Sequence, residues 1–439
     1  MKKALFTALA VMCCLVGFSA ERDGWKSLFN GKNLRGWVKL NGNAEYRVEK
    51  GELVGVSTLN TPNTFLATEQ EYGDFILELE YKVDEGVNSG VQIRSHSKPE
   101  YKNGTVYGYQ CEIDPAAFCG GIYDEARSGW LYSLADVPQA QSAFKRGEWN
   151  KMRVEAVGES VRVWLNGMPT ADILCDKDMS GFIALQVHTI GSNTELAGRT
   201  IRWRNVRIKT ENLAKELSPE IETIPQRNHI PNTISSREAA EGWALLWNGK
   251  DMSGWKSNSD KDFHKGWVCE DGVLSIKAQS GAGDIITERK YHNFELSIDF
   301  KFTEGANSGI KYFIGENGSV GCEFQILDDE RHPDANRGFN GNRRLGSLYD
   351  IIPAQGWAHT RKGDWNTARI VVKGEKVEHW LNGVKIPSYE QGGDMWQALV
   401  SHSKFANVKN FAGGDGGHIL LQDHNDLVHY RNLKIKELK

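Results

Sequence analysis

The chain has 439 residues, which is enough for two domains that each bury a full core. Its 53 lysines and arginines against 57 aspartates and glutamates give a formal net charge of −4. No basic cluster is long enough to neutralise a run of phosphates, so we expect no nucleic-acid partner. The cysteines beyond the N-terminal segment lack CxxC spacing, which argues against a zinc cage or a dense disulfide framework.

The N-terminus has the layout of a secretory signal. Two lysines follow the first methionine, an apolar stretch runs from Ala4 to Phe18, and small residues precede a polar segment. We therefore predict a signal peptide over residues 1–20 and an exported, periplasmic or extracellular protein. The stretch is shorter than the roughly 20 residues needed to cross a bilayer, and no later segment is as apolar, so we expect no membrane span. A lipoprotein anchor at Cys13 or Cys14 is the less favoured alternative, because Met12 suits lipidation poorly.

An ordered set of motifs occurs twice along the chain. Trp25-Lys-Ser-Leu-Phe-Asn-Gly-Lys returns as Trp243-Ala-Leu-Leu-Trp-Asn-Gly-Lys, and Asn88-Ser-Gly-Val returns as Asn307-Ser-Gly-Ile. The other shared motifs are Gly-Glu/Asp-Trp-Asn at Gly147 and Gly363, Trp-Leu-Asn-Gly at Trp164 and Trp380, and Leu-Gln-x-His at Leu185 and Leu421. Chance does not produce such a series, so the chain consists of two diverged copies of one unit.

The copies set the predicted domain boundaries. We place the first domain at residues 21–212 and the second at 236–439, joined by a linker over 213–235 that contains three prolines among polar residues. The second copy is longer near its end, and we place its insertion between Glu390 and Gly417.

The shared segments have the two-residue period of strands. Phe75, Leu77, Leu79 and Tyr81 occupy alternate positions of one segment, and Asn166-Gly167 is a tight-turn signal after another. Long amphipathic helices are absent from the pattern. Many short strands with glycine-rich turns predict an all-β fold, with two tandem antiparallel β-sandwich domains of the jelly-roll, concanavalin A-like kind.

Polar residues at alternate strand positions mark a sheet face left open to solvent or ligand. In the first copy, Gln110, Glu112 and Asp114 share one face of a predicted strand, and Gln92 and Arg94 alternate along another. A cation beside carboxylates can stabilise an anionic intermediate. The alternative is a plain cross-strand ion pair on a solvated sheet.

The second copy repeats this pattern with exchanged residues. Glu323 and Gln325 alternate as Gln110 and Glu112 do, but in reverse order, and Lys311 occupies the position of Gln92. The Asn-Ser-Gly motifs that precede these strands are interpreted as turn chemistry, with substrate contact as the alternative.

Each copy carries a glutamine and a histidine two residues apart in its penultimate strand. These are Gln186 with His188 and Gln422 with His424. Residues two apart share a sheet face, and histidine is the side chain best suited to proton transfer near neutral pH. A purely structural histidine is the alternative.

Further polar residues are candidates for substrate binding or for holding a metal ion. Tyr123 and Asp124 in the first copy match Tyr349 and Asp350 in the second. The acidic block from Asp328 to Asp334 contains oxygen and imidazole donors that can hold a divalent cation, although its spacing fits no familiar site and a solvated loop is the favoured interpretation. No phosphate loop, nucleophile elbow or metalloprotease helix occurs, so we expect no organic cofactor and leave the metal open.

Taken together, these motifs resemble the 3-keto-disaccharide hydrolase family, over nearly all of both copies. The resemblance implies a concanavalin-like jelly roll acting on glycosides whose C3 hydroxyl a separate sugar 3-dehydrogenase has oxidised to a ketone. Such a ketone acidifies the C2 proton, so that a base can remove it, the enolate is stabilised and the C1 leaving group departs. Water can then add back, which makes the net reaction a hydrolysis. The chemistry needs a base, an oxyanion stabiliser and an acid.

On this resemblance, Glu112 or His188 serves as base or acid in the first copy, with Arg94 or a bound cation at the enolate. In the second copy the corresponding candidates are Glu323, His424 and Lys311. The candidates for substrate contact are Gln92, Gln110, Asp114, Tyr123, Asp124, Gln186, Gln325, Tyr349, Asp350 and Gln422. The two copies are not equivalent, so one can cleave while the other binds or hydrates.

The competing function is carbohydrate binding without catalysis, because the same sandwich occurs in lectins and fold does not fix function. Two binding copies would raise avidity. Ionisable groups crowded on one sheet face favour an enzyme, because lectin sites rely more on aromatic platforms and neutral amides.

Overall fold

The structure is a computed structural model that describes residues 24–315, 318–355, 360–409, 411–413 and 416–439. Two compact units divide the chain, the first ending at His229 and the second beginning at Ile230. The predicted signal peptide over residues 1–20 lies outside the described residues.

The first domain is built almost entirely of strands. They are β1 (Trp25–Ser27), β2 (Trp37–Asn41), β3 (Glu45–Glu49), β4 (Glu52–Val56), β5 (Thr64–Tyr72), β6 (Phe75–Val83), β7 (Ser89–His96), β8 (Tyr107–Ile113), β9 (Ile122–Glu125), β10 (Gly129–Tyr132), β11 (Asn150–Val157), β12 (Ser160–Leu165), β13 (Met168–Leu174), β14 (Gly181–Val187), β15 (Thr200–Lys209) and β16 (Arg227–Asn228). Helical segments are the single turn α1 (Pro138–Gln141) and 3-10 turns at Lys102–Gly104, Leu134–Asp136 and Leu213–Lys215.

Within the described residues these strands form two sheets. One sheet, which we call the outer sheet, has nine strands in the order β16-β13-β12-β11-β6-β15-β4-β3, with β1 added beside β15. The other, which we call the inner sheet, has seven strands in the order β10-β9-β8-β7-β14-β5-β2. Neighbouring strands are antiparallel except for β13 and β16, which pair in parallel.

Over its described residues, the second domain repeats the arrangement with fewer strands. They are β17 (Trp243–Leu245), β18 (Trp255–Ser257), β19 (Trp267–Glu270), β20 (Val273–Ile276), β21 (Ile285–Thr287), β22 (Phe294–Phe302), β23 (Asn307–Ile314), β24 (Cys322–Leu327), β25 (Asn366–Lys373), β26 (Lys376–Leu381), β27 (Val384–Glu390), β28 (His418–Leu421) and β29 (Val428–Glu437). The helices are α2 (Ser236–Ala240) and α3 (Asp394–Ser401), with 3-10 turns at Phe263–Lys265 and Pro333–Asn336.

Its outer sheet follows the order β19-β20-β29-β22-β25-β26-β27, with β17 beside β29, and its inner sheet the order β18-β21-β28-β23-β24. Strands corresponding to β9 and β10 are replaced here by the loop that follows β24. This loop closes the inner sheet through backbone hydrogen bonds, including Gln325 N–H to Ser347 O and Tyr349 N–H to Glu323 O at 3.1 Å.

Each core lies between the two sheets of its domain. In the first domain the alternate residues Phe75, Leu77, Leu79 and Tyr81 of β6 and Tyr109, Cys111 and Ile113 of β8 all point into it. Burial of these side chains is the main stabilising contribution, because each large apolar side chain removed from water contributes roughly 1.5–3 kcal/mol. The all-β prediction of two jelly-roll sandwiches is confirmed.

The segment predicted as a linker, 213–235, lies against the first domain over much of its length. Ile221 and Ile224 are buried in the core of that domain, and β16 pairs with β13. The Ser218 backbone N–H and hydroxyl donate to Glu155 at 2.9 and 2.8 Å. This proline-containing segment is therefore an ordered part of the first domain that runs back across the outer sheet. Among the described residues, no helix has the length and apolar character required to cross a membrane.

Candidate functional site

One face of the inner sheet in each domain packs on the core, and the other carries several of the polar residues singled out above, which are buried and not open to solvent as predicted. In the first domain β7 and β8 place Gln92 opposite Gln110 and Gly90 opposite Glu112. Ala184 of β14 lies opposite Gln92, and Tyr123 of β9 lies opposite Gln110. We call this surface the first polar face.

A relay of hydrogen bonds runs along the first polar face. The Ser95 hydroxyl donates to Gln92 Oε1 at 2.6 Å, Gln92 Nε2 donates to Gln110 Oε1 at 2.8 Å, and Gln110 Nε2 donates to Glu112 Oε2 at 3.0 Å. All four side chains are buried. Each amide is oriented by its neighbours, so the relay presents its carboxyl group in a defined position.

The Asn-Ser-Gly motif shapes this face in both domains. The Ser89 hydroxyl donates to the Gln186 backbone carbonyl at 2.6 Å, and Ser308 makes the same bond to Gln422 at 2.7 Å. A Cβ atom at Gly90 would lie 2.3 Å from the Gln110 side chain. The serine and glycine of each motif belong to strands, so the interpretation as turn chemistry is wrong for them.

The equivalent glycine in the second domain meets the same constraint, because a Cβ atom at Gly309 would lie 2.2 Å from Glu323 Oε1. The asparagines of the motif reach the next strand. Asn88 lies close enough to Glu112 to act on the pKa of its carboxyl, and Asn307 Oδ1 accepts from Gln325 Nε2 at 3.1 Å. The motif therefore orders and makes room for the polar residues of β8 and β24.

Burial has the largest effect on the pKa of the Glu112 carboxyl. It raises the pKa of this carboxyl to about 7, against the opposing effects of Gln110 and Asn88. Burial also raises the pKa of Glu125, which accepts from Asn63 Nδ2 at 3.1 Å. Among the ion pairs of the described residues, none involves Glu112, so no cation offsets its desolvation.

Gln186 lies fully buried on β14, in the strand beside β7. Neither its Nε2 nor its Oε1 has a hydrogen-bond partner in the structure. An unpartnered buried amide costs about 1–3 kcal/mol, so such a group is a candidate for contact with a ligand or an ordered water.

Arg94 is not placed on the first polar face. The residue adopts a left-handed backbone conformation with φ of 45°, in the stretch where the pairing of β7 with β8 shifts register between Ile93 and His96. This bulge breaks the two-residue alternation. The fully buried guanidinium instead donates to Gly73 O at 2.8 Å, to Gly158 O at 2.7 Å and to Asp74 Oδ1 at 3.0 Å. Arg94 therefore links the turn at Gly73 and Asp74 to the turn at Gly158.

Of three other candidates in the first domain, Asp124 lies on the opposite side of its strand, and Asp114 and His188 lie just beyond the ends of β8 and β14. Asp124 alternates away from Tyr123 and binds Arg127, Lys177 and the Ser128 hydroxyl in a buried ion cluster. Asp114 follows β8 and accepts from the Ala116 backbone N–H at 2.9 Å. His188 follows β14, and its Nδ1 lies 2.7 Å from the Thr189 carbonyl.

The second domain has a different charge pattern on the corresponding surface, the second polar face. Lys311 Nζ lies 3.8 Å from Glu323 Oε2, and both side chains are about nine-tenths or more buried. The ammonium also contacts Ser319 O at 3.4 Å. Gln325 and Gln422 each leave a buried Oε1 without a partner. The predicted arrangement of a cation beside a carboxylate on the polar face is therefore found in the second domain and not in the first.

Lys404 is a second cation at this site, and the sequence analysis missed it. It belongs to the insertion, where Trp396 of α3 stacks between Tyr389 and Phe411 on the core. The Lys404 backbone N–H donates to Asp350 Oδ2 at 2.7 Å, and its ammonium lies 4.1 Å from the centre of the Tyr349 ring. The insertion thus brings an additional positive charge to the second polar face.

Burial and the neighbouring lysines have opposite effects on the pKa of Glu323. Burial raises the pKa of this carboxyl, and the positive charges of Lys311 and then Lys404 act to lower it. Burial also raises the pKa of Asp284, whose Oδ1 accepts from the Asp423 backbone N–H at 2.9 Å. A buried carboxyl beside an ammonium can exchange a proton with a ligand while the ammonium stabilises negative charge.

The remaining candidates of the second domain surround this pair. Asp350 Oδ1 accepts from Arg343 Nε at 2.6 Å, which makes it a positioning residue for the loop. The Tyr349 hydroxyl donates to Asp334 Oδ2 at 2.7 Å. His424 is exposed and lies beside His332, close enough for its charge to act on Glu323.

The duplicated sandwiches, each with a buried polar face on one sheet, define a two-domain β-protein, and comparison with known proteins identifies its family as carbohydrate-active. The family model described as 3-keto-alpha-glucoside-1,2-lyase-like domain matches residues 24–209 and 242–436. These matches span most of the chain, so the protein belongs to this family and carries one copy in each domain.

Two relatives illustrate the similarity. The chain is 33% identical over 230 residues to a 3-keto-disaccharide hydrolase of Bacteroides thetaiotaomicron, covering 45% of this chain and 79% of the relative. It is 32% identical to a crystal structure of a candidate glycosyl hydrolase from Parabacteroides distasonis, covering 48% of this chain and 100% of that one with a TM-score of 0.44.

The placement of Arg94 predicts a structural rather than a catalytic effect. Arg94→Lys keeps the charge but leaves carbonyl groups of the two turns without donors, so we expect a loss of about 2–4 kcal/mol in the free energy of unfolding. Denaturant unfolding followed by tryptophan fluorescence measures it. Arg289→Lys, at an exposed ion pair, is the control and should change stability by less than about 1 kcal/mol. Unchanged stability together with lost turnover would return Arg94 to the catalytic candidates.

The raised pKa of Glu112 predicts a pH-dependent stability of the first domain. Because the folded state favours the protonated carboxyl, this group stabilises the fold fully below its unfolded pKa of about 4.5 and loses that contribution as the pH rises through about 7. The shift corresponds to about 3 kcal/mol. Comparing unfolding of the wild type and Glu112→Gln at about pH 4.5 and about pH 7.5 isolates the effect, since the amide does not titrate in this range. Parallel curves for the two proteins would show that Glu112 is ionised as in water.

Proposed function

We propose that the protein cleaves 3-keto-glycosides at the second polar face, with Glu323 as the base that removes the C2 proton. The observation that supports this assignment is the buried contact between Glu323 and Lys311, with Lys404 nearby. A base needs a pKa near the working pH, and an enolate needs a fixed positive charge. Among the described residues, the first polar face has no such cation at its carboxyl.

The electron flow follows from the C3 ketone. Glu323 takes the C2 proton, and the electron pair of that C–H bond forms an enolate whose charge rests on the C3 oxygen beside Lys311. Collapse of the enolate makes the C1=C2 double bond and breaks the C1–O bond, the departing oxygen takes a proton from water, and Glu323 returns its proton to the solvent. Addition of water across the double bond completes a net hydrolysis. The ketone is supplied by a separate sugar 3-dehydrogenase, because no hydride-transfer cofactor enters this scheme.

The first polar face supports a second role, binding of a neutral saccharide. Its relay of amides, the unpartnered Gln186 and a carboxyl group whose pKa burial raises to about 7 are hydrogen-bonding groups suited to sugar hydroxyls. On this proposal the first domain retains saccharide while the second cleaves it, and export through the signal peptide places both outside the cytoplasm.

The test uses a chromogenic 3-keto-glucoside and its unoxidised parent. We expect release only from the keto form, with kcat reduced at least about 100-fold in Glu323→Gln and by about 100-fold or more in Lys311→Met. Incubation in D2O adds a direct readout, since loss of the base should also abolish deuterium incorporation at C2.

The matched controls lie on the outer sheet of the same domain, where Glu378 and Lys385 form an exposed pair. Glu378→Gln and Lys385→Met should retain wild-type turnover. Wild-type activity in Glu323→Gln would contradict the assignment, and loss of turnover in Glu112→Gln instead would move the reaction to the first domain. Binding of the parent sugar without release from either compound would favour a lectin.

A further inference from the structure

Three potential metal ligands meet at one edge of the second domain. They are His332, from the loop after β24, and His424 and Asp426, from the loop between β28 and β29. One ligand atom from each side chain lies within 4.8 Å of the other two. The acidic block from Asp328 to Asp334 supplies only His332 to this group, so its own spacing gave no indication of the cluster.

We propose that His332, His424 and Asp426 bind one divalent transition-metal ion of the Zn²⁺ or Mn²⁺ class. Imidazole nitrogen together with a carboxylate suits such ions, whereas Ca²⁺ and Mg²⁺ prefer oxygen ligands alone. Three protein ligands leave coordination positions open for water or for a ligand oxygen. The exposed edge also provides a route by which an ion can enter.

Two of the ligands are held in place before an ion binds. The Asn307 backbone N–H donates to Asp426 Oδ2 at 2.9 Å, which leaves Oδ1 available. The His332 backbone N–H donates to Asp328 O at 2.9 Å, and Asp328 Oδ2 accepts from the Gly305 backbone N–H at 2.7 Å. Such supporting hydrogen bonds orient the ligands of metal sites and strengthen binding.

One contact must change when the ion binds. His332 Nδ1 accepts from the Asp334 backbone N–H at 3.2 Å. Ligation through Nε2 places the imidazole proton on Nδ1, and ligation through Nδ1 displaces the amide directly, so this long hydrogen bond is exchanged for a metal bond in either case.

The first domain provides an internal comparison. His188 stands two residues after Gln186 as His424 stands after Gln422, but Ile190 occupies the position of Asp426. The loop that corresponds to the His332 segment reads Asp114-Pro-Ala-Ala-Phe and contains no histidine. The metal site is therefore specific to the domain that carries Lys311 and Lys404.

The test measures ion binding without substrate, so its result does not depend on the proposed function. Full-length protein without a polyhistidine tag is stripped with chelator and titrated with Zn²⁺ by calorimetry, and with Mn²⁺ by electron paramagnetic resonance. We expect one tightly bound ion per chain, and at least about 100-fold weaker binding in His424→Ala and in Asp426→Asn, since even loss of an outer supporting group weakens such sites 10- to 100-fold.

Controls separate this site from incidental surface binding. His402→Ala removes an exposed histidine at the end of α3 and should leave the affinity unchanged, as should His188→Ala in the first domain. Thermal unfolding of each metal-free variant verifies its fold, and added Zn²⁺ should raise Tm in the wild type but not in His424→Ala. Equal binding by wild type, His424→Ala and Asp426→Asn would overturn the proposal, as would loss of binding in His188→Ala.

Discussion

A polar group taken out of water must find a partner, and this requirement governs both inner sheets. The two-residue alternation that sends Tyr109, Cys111 and Ile113 into the core necessarily turns Gln110 and Glu112 to the opposite, covered face. The fold can accept them there only because the amides and carboxyl form a continuous relay. The unpartnered buried atoms of Gln186, Gln325 and Gln422 are then positions where a bound ligand would complete the hydrogen bonding.

The two domains stabilise the buried polar residues of their inner sheets with different charges. In the first, Glu112 accepts a hydrogen bond from the neutral amide of Gln110, and burial raises the pKa of its carboxyl to about 7. In the second, exchange of the two polar positions moves the carboxyl to Glu323, where Lys311 has replaced the glutamine opposite. Both domains thus keep the sheet, the hydrogen bond from the motif serine to a glutamine carbonyl and the motif glycine. A few substitutions on the polar face distinguish the amide relay of the first domain from the ion pair of the second.

The sequence predicted the parts of this structure that depend on local periodicity. Alternation along β6 and β8, the repeated motifs and the pairing of Glu323 with Lys311 follow from the two-residue repeat and from neighbouring strands. Arg94 shows where periodicity fails, because a bulge with a left-handed residue reverses the direction of the side chain. Lys404 and His332 come from loops, whose approach to the sheet depends on tertiary packing and leaves no periodic signal.

The contrast between the domains bears on the type of reaction each can support. Ordinary glycosidases place two carboxyl groups on opposite sides of the scissile bond to assist an oxocarbenium-like transition state. The second polar face instead places one buried carboxyl beside an ammonium, an arrangement that favours removal of a proton next to a carbonyl and stabilisation of the resulting oxyanion. Burial raises the pKa of Glu323 and so strengthens it as a base, whereas the neighbouring lysines lower the pKa. The positive charges of Lys311 and Lys404 favour the ionised carboxylate, so the charges suited to stabilising an enolate also favour the form of Glu323 that accepts a proton.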